Sequence, residues 1–111
     1  MIALALALAM AQADLEAVKV TLVEWQKCTL RVADPLAINS IEAPETVAQA
    51  AITMCWRDEA TVRASFASHL QKEHDQKQIL AMVEAAKGAW RATLTATIVQ
   101  LRAQPSPTEK R

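Results

Sequence analysis

A chain of 111 residues suffices for one domain but not for two ordinary ones, and a domain this small has a thin core. Twelve basic residues balance twelve acidic ones and form no stripe, which excludes an electrostatic preference for nucleic acid or for an anionic membrane surface. Hydrophobic residues make up 52%, many of them alanine, and the single glycine, Gly88, leaves almost no material for hairpin turns, so a helical chain is expected.

Residues 1–13, MIALALALAMAQA, read as a secretory signal peptide. Ile2 to Ala11 are apolar without interruption, and Ala11-Gln12-Ala13 is the small-residue pattern of a cleavage site, making Asp14 the first mature residue. The run is too short to cross a bilayer, which needs about 20 residues, so no stable membrane insertion is expected after cleavage. No Lys or Arg precedes it; a start further upstream would explain the missing basic end. The competing reading, a buried first helix, has to explain why the run offers solvent no polar stripe.

From Asp14 the pattern is helical. Leu15, Val18, Leu22, Trp25 and Thr29 recur on one face, and Cys28 stands three residues after Trp25. Pro35 predicts an end near Ala33, because it cannot donate a backbone hydrogen bond and disfavours helix at Asp34. A connection through Ala43 follows, with Leu36, Ile38 and Ile41 expected to pack over the end of the bundle. Pro44 and Glu45 mark a second start. Its buried stripe is Ala48, Ile52, Cys55, Val62, Phe66 and Leu70, giving one helix over 44–71. Glu59 interrupts the stripe and is expected at its solvent edge or paired with Arg63. The polar stretch 69–78 holds a possible capping box, Asp75 with Gln78. Without a turn there, one helix would run roughly 88 Å beside a first helix of about 30 Å, so a turn at 71–75 is preferred. The third helix, 75–102, buries Ile79, Val83, Ala86, Trp90, Leu94, Thr97 and Leu101. Gly88 in its middle is read as room for a neighbouring helix. Residues 103–111, with two prolines among polar residues, read as a disordered tail.

Cys28 and Cys55 both fall on inward faces, and export favours their oxidation. A structural disulfide is the preferred reading; buried free thiols and a redox pair are the alternatives. Redox activity is opposed by the lack of C-x-x-C and of a cysteine opening a helix. His69 and His74, five residues apart, do not stack as metal ligands, and are read as solvated residues near a turn. Neither cysteine belongs to a C-x-x-C-H haem motif, and one glycine builds no phosphate loop. No metal, cofactor or catalytic residue is therefore assigned. Trp25 and Trp90 read as core. Trp56, turned about 100° from Cys55, is read first as covering the flank of the disulfide. Its alternative, with Met54, is an exposed partner-binding anchor.

The order of leader, W-x-x-C, A-P-E-T-V-A-Q-A-A-I-T-M-C and an alanine-rich helix with Glu59 and Arg63 resembles a group of small exported bacterial all-helical proteins with two cysteines. The resemblance covers roughly residues 1–70. It implies a periplasmic helical protein with one disulfide and carries over no activity, ligand or catalytic residue.

The reading as a whole is an all-α, three-helix, up-down-up bundle, periplasmic or secreted, with a disulfide between helices 1 and 2. The expected role is a non-enzymatic interaction or accessory protein with a protein partner. The alternatives are a small-ligand binder or enzyme using Glu59, Arg63 and His69, and an envelope protein that forms a homo-oligomer through alanine-rich faces.

Overall fold

The computed structural model describes residues 12–104; the expected leader lies almost wholly outside them, as does nearly all of the tail. Those residues form helices and connections, with no strand among them. Four helices, not three, follow in order: α1 (Gln12–Asn39), α2 (Pro44–Met54), α3 (Trp56–Leu70) and α4 (Gln76–Ala103). α1 lies against α2 and α3, and α4 packs on α2, α1 and α3.

The apolar periodicity builds one core. Val18, Trp25 and Thr29 of α1 are buried, as are Ile52 of α2 and Val62, Phe66 and Leu70 of α3. Ile79, Val83, Leu94 and Ile98 complete it from α4. Alanine fills much of the remainder: Ala33, Ala37, Ala48 and Ala51 have almost no exposed surface. Such small side chains bring the helix backbones close but remove little apolar area from water. The Trp90 indole is half-buried rather than enclosed, and its Nε1–H donates to the buried Thr29 hydroxyl at 2.8 Å. That hydroxyl in turn donates to the Gln26 carbonyl, so a polar group at zero exposure is satisfied on both sides.

Two expectations about helix limits are corrected. α1 does not end near Ala33; it runs through Pro35 to Asn39. Interior proline costs about 3 kcal/mol, but Pro35 and Asp34 face solvent while Ala33 and Ala37 are buried and Leu36 packs against the core. Burial on that face, together with the Arg102 guanidinium bonded to the carbonyls of Ala37, Ser40 and Glu42, outweighs the lost amide. The extra turn changes the connection as well: Ile38 and Ile41 are exposed instead of packing over the bundle end.

The second correction is that 44–71 is not one helix. It breaks at Cys55, so the limb returning along α1 is α2 and α3 meeting at a bend. The boundary between α3 and α4 is a short turn. The amides of Glu73 and His74 close it on the Leu70 carbonyl. Asp75 then caps α4: its side chain accepts from the Gln78 amide, and the Gln78 side chain accepts from the Asp75 amide.

Gly88 does not make room for a helix. It is exposed, and a Cβ placed there would meet nothing within 4 Å. Gly88→Ala is therefore expected to raise the unfolding free energy by about 0.8 kcal/mol through helix propensity and the unfolded chain's entropy. A urea midpoint shifted upward at unchanged slope checks this; a downward shift contradicts it.

Candidate functional site

The most distinctive local structure is the bend at Cys55. Cys55 adopts φ −96° and ψ 31°, and its amide donates to the carbonyls of both Ala51 and Ile52. Its own carbonyl accepts from the Glu59 amide. The helix is thus interrupted at one residue whose own amide and carbonyl are both paired. The same residue is disulfide-bonded to Cys28, across a Cα–Cα distance of 6.1 Å and a sequence separation of 27. Cys55 is 2% exposed, whereas Cys28 is half-buried. The break also places Cys55 at the N-cap of α3, so a cysteine does open a helix, against expectation.

The bend decides what its neighbours do. With Cys55 turned inward, Met54 and Trp56 on either side are 65% and 61% exposed. Trp56 therefore does not cover the flank of the disulfide. The Arg57 guanidinium stacks over its ring, 5.3 Å from the centroid. Beside Met54, a shallow surface groove of about 580 Å³ runs along α2, lined by Glu45, Thr46, Gln49, Ala50 and Thr53. Other exposed apolar residues lie on α1 and α4, among them Val20 with Val23 three residues on, Leu80 and Val99; exposed apolar side chains are ordinary for a protein surface. Asp58, in the first turn of α3, comes near the bond itself: a carboxylate oxygen and the two sulfurs all lie within 4.8 Å of one another.

Of the three polar residues of the alternative site, Glu59 and Arg63 come together and His69 stands apart. Glu59 is 14% exposed at its side chain and accepts from Arg63 at 2.8 Å and from Lys87 of α4 at 3.3 Å. Arg63 also approaches Glu84 at 3.9 Å. These charges neutralise one another and tie α3 to α4. His69 stands about 15 Å further along α3 than Glu59 at 1.5 Å per residue, and its Nδ1 meets Asp14 Oδ1 at 2.7 Å. It joins the end of α3 to the start of α1. A second groove, about 570 Å³, separates α3 from α4 and is lined by Arg63, Ala64, Ala67, His74, Ile79 and Leu80, among others. Of the three alternative residues only Arg63 reaches it.

Sequence reading missed Arg57 and Asp58. The stacking partner was available as the neighbour of Trp56. The spacing Cys55-x-x-Asp58 puts the two on one helix face, but Cys28 joins them only in three dimensions. No described helix is long and apolar enough to cross a membrane. Comparison with protein-family models, curated proteins and solved structures finds no match to this chain.

Proposed function

We propose that this chain is an exported, non-enzymatic accessory protein that binds a protein partner through the surface around Met54 and Trp56. One observation carries the reading: two large apolar side chains of the kinds enriched at interfaces flank a buried disulfide residue and are both mostly exposed. The bend is tethered to α1, so the pair is held at low conformational cost, and little ordering entropy is lost on binding. The adjoining groove along α2 offers an apolar partner side chain a seat next to Met54. The apolar leader supports delivery to the periplasm or beyond, and the disulfide is compatible with that location.

A photoreactive residue placed at 56, at 54 and, as a control, at the exposed Lys72 tests this in the source cell. The expected result is one partner adduct from positions 54 and 56 and none from 72, with Trp56→Ala weakening the purified complex by about 30-fold, the scale of an interface hot spot. Equal adducts from all three positions would overturn the reading. An adduct with a second copy of the chain would replace it with self-association.

The groove between α3 and α4 favours a second reading, a small apolar ligand, because its volume lies in the range of such sites. Part of its polar rim is already engaged, Arg63 with Glu59 and Glu84, and Asp75 with the start of α4, whereas the buried Nε2 of His74 on the same lining has no hydrogen-bond partner.

A further inference from the structure

We propose that Cys28, Cys55 and Asp58, once the sulfurs are reduced, form a binding site for a thiophilic dication of the zinc class. Three donor atoms within 4.8 Å of one another come from two directions: Cys28 from α1, and Cys55 with Asp58 from the N-cap and the first turn of α3. Two thiolates select soft and borderline metals over calcium or magnesium, and a carboxylate is an accepted third ligand for zinc. Around a tetrahedral zinc, with Zn–S of about 2.3 Å and Zn–O of about 2.1 Å, ligand atoms stand roughly 3.5–3.8 Å apart. The sulfurs therefore separate from bonding distance while the carboxylate closes in by an ångström or so. The fourth position is left to water, which reaches the site on the side of half-buried Cys28.

The chemistry balances simply. A dithiol gives two electrons and two protons to the Cys28–Cys55 bond and is itself oxidised to a disulfide, leaving two protein thiols. Zinc then displaces both thiol protons and binds the two thiolates and the Asp58 carboxylate. Every newly made chain also passes through the dithiol form before its disulfide exists. The site carries one net negative charge, and two of its ligands sit where the N-terminal end of the α3 dipole favours negative charge. The metal holds α1 to the α2–α3 bend in place of the S–S bond, so the clasp has two alternative closures. This inference is independent of the partner-binding reading.

The bland account of Asp58 is a first-turn acid that serves only the helix dipole. The test separates the two. The full chain is reduced with a phosphine in the absence of oxygen and titrated with Zn²⁺ against a chromogenic chelator; Co²⁺ reports sulfur ligation by its charge-transfer absorption. Expected are no binding to the oxidised chain, one ion per reduced chain, affinity at least tenfold weaker in Asp58→Asn, and none in the Cys28→Ala/Cys55→Ala double variant. Should reduction unfold the chain, Zn²⁺ is expected to restore its far-UV helical signal in the wild type and not in the double variant. The proposal is overturned if the reduced chain binds no tighter than the oxidised one, if Asp58→Asn binds as tightly as the wild type, or if zinc restores no helix to an unfolded reduced chain.

Discussion

Replacing Cys28 and Cys55 together by alanine lowers the unfolding free energy by about 3.5 kcal/mol, the chain-entropy value for a closed loop of this length. The 27-residue separation spans the last part of α1, the connection and all of α2. Cutting the link frees that whole segment in the unfolded chain while removing little packing from the folded one. Domains of this size have only about 5–15 kcal/mol to lose, and each kcal/mol is worth roughly 4–8 °C, so the melting temperature should fall by about 14–28 °C. A local effect accompanies the global one. Neither glycine nor proline lies between Glu45 and Lys87, so nothing in the local sequence demands a break at Cys55. Without the tether, residue 55 is free to take helical dihedrals, and α2 and α3 can join. Amide exchange of residues 54–59 relative to the rest of the core reads this directly. A loss under 1 kcal/mol with an unchanged exchange pattern would show that side-chain packing, not the disulfide, holds the bend.

The bend also shows where sequence reading stops. Apolar periodicity identified Ala48, Ile52, Cys55, Val62, Phe66 and Leu70 as one stripe, and all six are buried. It did so because the faces of α2 and α3 remain nearly in phase across the break. The break itself has no local signature, since it answers to Cys28 on another helix. Pro35 illustrates the opposite failure. The local rule states its cost correctly, yet Arg102, 65 residues beyond Ala37, and the buried faces of Ala33 and Ala37 decide the outcome. Trp56 falls between these cases. Its 100° offset from Cys55 is what an unbroken helix would give, and the break at Cys55 removes that premise. Whether its side chain meets solvent depends on how α1 and α4 are placed. Asp58 was visible as Cys55-x-x-Asp58 but had no meaning until Cys28 stood beside it. Polar contacts between helices, such as the Glu59–Lys87 ion pair and the His69–Asp14 hydrogen bond, are likewise properties of the assembled bundle.

Arg102→Met should cost about 2 kcal/mol and shorten α1 by its last turn. The final carbonyls of a helix have no intrahelical donors, and those beyond Pro35 belong to a turn already weakened by a missing amide. Arg102 answers that need from α4: Nε donates to the Ala37 carbonyl at 2.8 Å, Nη2 to Ser40 at 2.8 Å, and Nη1 to Glu42. One planar cation thus spans the end of α1 and the connection into α2, and its charge complements the negative end of the α1 dipole. Charge-assisted bonds are worth about 1.5–3 kcal/mol each when sheltered. Arg102 is only half-buried, so water recovers much of that on substitution and the net loss is smaller than their sum. Methionine keeps the apolar stem and removes the fork, which isolates the hydrogen bonds from packing. Lysine should rescue little, because one ammonium cannot reach three carbonyls in the geometry of a guanidinium. Denaturant unfolding gives the magnitude, and amide exchange over residues 36–44 gives the location. If both substitutions stay within 0.5 kcal/mol of the wild type and exchange in that segment is unchanged, the turn after Pro35 is held by burial of Leu36 and Ala37 alone.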